Sequence, residues 1–140
     1  MAKYLLVAHQ TAEAPELIDA ARELAAEDAE ADFTLLVPAT PVGDLMTWEE
    51  GEAKEVARDR AESASAALRS NGVNVVDVRV GDADPALAIG DEFLDGRRYQ
   101  AVIISTLAPG ISRWIKMDAV SKVRRQHPKL RVIHVVPKEQ

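Results

Sequence analysis

The sequence predicts an α/β fold in which a five-stranded parallel sheet carries helices on both faces. Two observations predict it. Apolar runs of strand length alternate with stretches of helical spacing from one end of the 140 residues to the other. The first run, Tyr4–Ala8 (YLLVA), is continuously apolar, as expected of a strand covered on both faces.

The elements follow in order. Pro15 suits a first helical position, and Leu17, Ile18, Ala21, Leu24 and Ala25 then keep helical spacing to about Asp28. Phe33–Val37 (FTLLV) reads as the second strand. The loop Pro38–Met46 that follows holds two prolines and Gly43, and is longer than most strand-to-helix connections. Thr47-Trp48-Glu49-Glu50 has the form of a capping box. The helix it opens runs to about Ser70 and shows a narrow stripe of Ala53, Ala57, Ala61, Ala64 and Leu68, with Asn71-Gly72 as its stop. Val73–Val80 alternates as a third strand with one more exposed face. Asp84 and Pro85 cap and open a short helix that buries Ala86, Ile89 and Phe93 and closes around Gly96. Ala101–Ser105 is the fourth strand, Ser112–Gln126 a basic fourth helix stopped by Pro128, and Arg131–Val136 the fifth strand. No repeat, linker or low-complexity segment interrupts the pattern, so residues 1–140 read as a single domain.

Composition narrows the function. The chain has no cysteine, which removes disulfides, thiolate metal sites and cysteine nucleophiles. No apolar run approaches the length needed to span a membrane, and the start lacks a cleavage-site pattern, so a cytoplasmic location is the default expectation. The net charge of −6 is uneven: from Arg113 onward eight Lys/Arg face two acids, which leaves −12 for the first 112 residues. Such a body repels nucleic acid and anionic membranes over most of its surface. Lys122, Arg124, Arg125, Lys129 and Arg131 form a basic patch that reads as a solvated helix face with cations near its C-terminus, attraction of a phosphate group or an acidic partner being the other reading.

The strong motifs of chemistry are absent. There is no P-loop, no G-x-G-x-x-G after the first strand, and no H-E-x-x-H. Asp82 and Asp84 are explained by a capped turn better than by a cation. His9 and Ser105 follow strands one and four and would approach if those strands are neighbours. No acid is evident near His9 and no G-x-S-x-G elbow is present, so His9 reads as a cleft-lining polar residue and not as a catalytic base. His134 alternates with Val132 and Val136 and reads as a packed or interface residue. Trp114 suits a core or interface anchor, with a stacking platform as the other reading.

The segment Ala101–Arg113 (AVIISTLAPGISR) is the most informative. A buried strand breaks into small residues and opens a helix at Ser112, a geometry that receives anions, and Arg113 adds a fork suited to phosphate or carboxylate.

Taken together, the YLLVA strand, the long loop after strand two, GDADPALAI after strand three, the final helix and the RVIHVVP strand resemble the universal stress protein family over nearly the whole chain. The resemblance implies strand order 3-2-1-4-5 and a homodimer formed through the C-terminal strand, Arg131–Val136. ATP-binding members carry G-x-x-G, nine residues, then G-[ST]. Aligned on the final helix, those glycines become Ser105, Ala108 and Asp118 here, and the terminal Ser/Thr becomes Ala119. The family's strand-one Asp falls in the neighbourhood of His9, Gln10 and Thr11.

The expectation is therefore a non-enzymatic regulatory or interaction module with a degenerate nucleotide cleft and an unidentified protein partner. No cofactor is expected, ATP and AMP being admissible but not favoured, and no metal. The expected walls are His9, Gln10, Thr11, Val37, Pro38, Gly81, Asp82 and the Ser105–Arg113 loop, with Ser105, Thr106, Gly110, Ser112 and Arg113 its polar or close-approach positions. The rival is a nucleotide or small-anion binder, with slow ATP hydrolysis, that uses the same Ser105–Arg113 loop. A sensor domain like those fused to transporters is a third reading.

Overall fold

The computed structural model describes residues 2–41 and 50–138, so the cap expected at Thr47 lies outside the described residues. The order of elements is β1 (Lys3–Val7), α1 (Pro15–Glu27), β2 (Asp32–Pro38), α2 (Glu50–Ser70), β3 (Val75–Gly81), α3 (Pro85–Leu94), β4 (Ala101–Ser105), α4 (Arg113–Lys116), α5 (Ala119–Gln126) and β5 (Arg131–Val135). The strands form one parallel sheet in the order β3-β2-β1-β4-β5, as the resemblance implied.

Strand periodicity divides the interior into two cores. Tyr4, Leu6, Phe33, Leu35, Val37 and Ile103 face one side, where α1 and the alanine stripe of α2 cover them. Leu5, Val7, Leu36, Val102 and Ile104 face the other, under α3, α4 and α5. The apolar YLLVA run is therefore two interleaved half-patterns, each buried by a different helix layer. Each fully buried leucine contributes about 1.5–3 kcal/mol, so β1 and β2 anchor both layers at once. The alanines of α2 let that helix lie close to the sheet: Ala57, Ala61 and Ala64 are all buried. Gly72 ends α2 at φ 86°, a conformation that glycine adopts without a Cβ penalty.

The single basic helix expected over Ser112–Gln126 is two. α4 ends at Lys116, Asp118 adopts φ 58°, and α5 starts at Ala119. The reason lies in the apolar phase. Trp114 and Val123 are nine residues apart, and at about 100° per residue a continuous helix would put them on opposite sides. Both are buried in the same core. The left-handed residue resets the phase so that Trp114, Ala119, Val120 and Val123 all reach the sheet, while Lys122, Arg124 and Arg125 stay at the surface.

A polar cluster sits beneath α3. Glu92, only 3% exposed, accepts a 2.7 Å bond from Arg79 Nε and a 2.9 Å bond from the Tyr99 hydroxyl, and Arg97 lies 3.8 Å away. Burial, first of all, pushes the Tyr99 hydroxyl up to about 12, so it stays a donor at any ordinary pH. Hydrogen bonding to Glu92 raises Arg79 above its usual value.

Candidate functional site

From β1 the chain winds outward through β2 to β3, then returns to lay β4 on the far side of β1. The connections after β1 and β4 therefore leave the sheet in opposite directions, and a crevice opens beyond their C-terminal ends. A cavity of about 290 Å³ occupies that place. Three segments wall it: His9, Gln10 and Thr11 after β1; Thr40 and Pro41 after β2; and Ser105–Leu107 with Ile111–Trp114 around the loop after β4.

Hydrogen bonds hold these segments to one another. The hydroxyls of Thr11 and Ser105 share a buried bond of 2.6 Å across the sheet's switch point. Thr106 shares a 2.8 Å bond with His134 Nε2 on β5. Ser112 caps α4 by accepting from the Ile115 amide at 3.2 Å. Thr40 donates to the Ala83 carbonyl at 2.5 Å and accepts from the Trp114 indole N–H at 3.0 Å. Arg113 donates through Nη1 to the Pro41 carbonyl. Trp114 thus serves as a core anchor, 6% exposed, that also lines the cavity.

His9 stands apart. It is 4% exposed, and neither ring nitrogen has a hydrogen-bond partner among the described residues. Burial above all, and then the Arg60 guanidinium on α2, lower its pKa to about 4, partly opposed by its own main chain. His9 is therefore a neutral imidazole at pH 7. The unfolded chain, with an ordinary histidine pKa, takes up this proton first as pH falls. The contribution of neutral His9 is thus fully present above pH 6.5 and is lost progressively down to pH 4, by about 3 kcal/mol in all. Urea titrations at stepped pH are expected to show that acid-side slope, and His9→Asn to remove most of it. His134, also lowered by burial and then by Arg124, acts in the same direction in both proteins.

Of the residues expected at a cleft, the structure brings His9, Gln10, Thr11, Ser105, Thr106, Ser112 and Arg113 to this one cavity. The others lie elsewhere. Val37 points into the core under α1 and α2, and Pro38 is buried at the end of β2. Gly81 ends β3 against α3, where a Cβ would come within 2.9 Å of both Ala88 Cβ and Leu36 Cδ1. Its glycine is explained by close packing. Asp82 is exposed and accepts from the Asp84 amide at 2.9 Å, the capped turn that the sequence suggested. Gly110 is exposed on the loop and off the cavity wall. Thr40 and Pro41 were not anticipated, and nothing in the sequence marks them beyond following strand two.

Ser105 and His9 share the cavity, yet the Ser105 hydroxyl bonds to Thr11 and the imidazole to none of the described residues. Among the described residues no group of three or more His, Asp or Glu is placed to hold a metal ion. No helix among them is long and apolar enough to cross a membrane. The positions aligned with the family's glycines are Ser105 at the end of β4, Ala108 in the loop and Asp118 between α4 and α5. Asp118 is the single non-glycine residue of positive φ among those described, so this position keeps a backbone conformation that glycine favours while carrying a carboxylate.

No family model and no curated relative matches the sequence. Solved structures do. A universal stress protein family member from Burkholderia pseudomallei superposes with a TM-score of 0.63 at 18% identity, over 96% of this chain and 95% of that one. A universal stress protein in complex with cAMP gives 0.62 at 15%, covering 98% of each chain. The universal stress protein from Archaeoglobus fulgidus in complex with dAMP gives 0.58 at 19%, over 99% of this chain and 98% of that one. The fold is that of the universal stress proteins.

Proposed function

We propose that this chain is a divergent universal stress protein acting as a non-enzymatic regulatory or interaction module, cytoplasmic and homodimeric, whose cleft has lost the family's glycine phosphate cradle. One observation carries the reading. The groups that would do chemistry are tied up or idle, because the Ser105 hydroxyl is committed to Thr11 while His9 bonds to none of the described residues. A serine nucleophile needs a base within hydrogen-bond reach. A Cβ at Ala108 further keeps the backbone from the close approach that glycine allows.

A second reading, a nucleotide or small-anion binder, draws support from the cavity itself. It gathers five hydroxyls and Arg113 with no carboxylate among its described walls. The solved relatives that carry cAMP and dAMP lend it support by likeness of fold. Calorimetric titration with ATP, with and without magnesium, separates the two. The lost cradle predicts no heat and no thermal shift. A micromolar dissociation constant that Arg113→Ala abolishes would replace it with the second reading.

The dimer has its own test. β5 is an edge strand, with Val132, Ile133 and Val135 half-buried and Val136 41% exposed. Light scattering is expected to give a monomer for Ile133→Lys. Val136→Lys, at an exposed position beyond the strand, is expected to do the same without disturbing the core. An unchanged dimer in both variants rules out this interface.

A further inference from the structure

The cavity encloses a polar group that no other described residue satisfies. His9 is 96% buried and lines the space, and its two nitrogens meet no donor or acceptor among the described residues. Buried polar atoms in folded proteins are nearly always paired, so an imidazole held this way marks a place where a ligand bonds. The surroundings say what kind. Arg60 acts on the ring from α2, and Arg113 faces the same cavity from α4. Thr106 spends its proton on the Leu107 carbonyl, but Ser112, which accepts from Ile115, and one hydroxyl of the Thr11–Ser105 pair keep a proton to donate. Glu13, the nearest carboxylate along the chain, is turned away to the surface, where it accepts from Ser63 at 2.9 Å. His134 reaches the wall only through Thr106.

We infer that the cavity receives a small oxyanion, a phosphate or carboxylate head group, which His9 grips as an imidazolium together with Arg113 and the surrounding hydroxyls. The inference rests on the second reading above, a small-anion binder in this cavity, and adds to it the grip of His9 and its proton. The balance is simple. As the anion docks, the imidazole takes one proton from solvent at its second nitrogen, and both N–H groups then donate. No other bond forms or breaks. Burial and Arg60 keep the ring neutral in the free protein, and a negative charge within hydrogen-bond reach opposes both effects. Anion binding is therefore coupled to proton uptake, and affinity rises as pH falls, by about tenfold per unit across the window between the two pKa values.

The test follows the His9 ring by NMR in the wild-type protein, its signal assigned by elimination against His127→Gln and His134→Gln. The ring is expected to titrate at about 4 alone and at least a hundredfold more readily in the presence of excess inorganic phosphate or acetate. Response to phosphate alone identifies a phosphoryl head group, and response to acetate alone a carboxylate. Phosphate or acetate binding should lose its pH dependence in His9→Asn, relative to the wild type. A His9 pKa unmoved by either anion in large excess overturns the proposal. So does a His9→Asn protein that binds them with the wild-type pH profile. The nucleotide titration judges the lost cradle separately, since magnesium-dependent ATP binding would refute that reading and leave the His9 result to stand on its own.

Discussion

Glu92→Ala is expected to lower the unfolding free energy by about 3 kcal/mol, the low end of what breaking a buried ion pair costs. The carboxylate is 3% exposed and receives Arg79 at 2.7 Å and Tyr99 at 2.9 Å. Alanine leaves the Tyr99 hydroxyl and the Arg79 Nε without this acceptor and opens space beneath α3. The loss stays at the low end because Arg79 keeps Asp77 at 3.8 Å and Asp95 at 3.7 Å and is partly solvated. Glu92→Gln, which retains an acceptor for Tyr99 but not the charge, is expected to fall between. Urea unfolding of the three proteins checks the order. A Glu92→Ala protein within 0.5 kcal/mol of the wild type, the range of ordinary surface substitutions, would show that the cluster contributes nothing.

Gly81→Val is expected to have an effect of similar size by the opposite route. A Cβ there meets Ala88 Cβ and Leu36 Cδ1 at 2.9 Å, closer than real Cβ atoms come, and the Ala88 backbone at 3.6 Å. Leu36 is 1% exposed and Ala88 sits on α3, so neither can give way freely. Overpacking of this kind costs about 1–3 kcal/mol, and the two further methyl groups of valine put it at the upper end. Gly81→Ala is expected to lose less. If both variants melted with the wild type, close packing would not be the reason for glycine here.

Much of this was legible in the chain. The YLLVA run, the alanine stripe of α2 and the Asp84-Pro85 cap each state their structure directly, because burial on two faces, close helix packing and orphan amides have local signatures. The resemblance supplied the strand order. The cavity was legible where it hangs on residues just past β1 and β4, since crossing over at a sheet's centre puts those loops together. It was misplaced at Val37 and Gly81, where strand parity decides which core a residue enters. The break at Asp118 was present in the sequence as a phase error between Trp114 and Val123, masked by a continuous run of good helix formers. Glu92 gave no signal. A glutamate on a short helix reads as solvent-facing until β3 and the turn before β4 bring Arg79 and Tyr99, 13 and 7 residues away, to it.

The division of the interior into two cores has a consequence for how such a chain can change. The sheet is a partition: apolar side chains on one side contact α1 and α2, and those on the other contact α3, α4 and α5. Substitutions in separate cores share few neighbours, and their effects on stability add. The cavity loops, meanwhile, are held by bonds among themselves, such as Thr11 to Ser105 and Trp114 to Thr40. A lineage can therefore rewrite its cavity loops, repack one layer, and leave the other layer as a reserve of stability. Sequence identity then decays far faster than architecture.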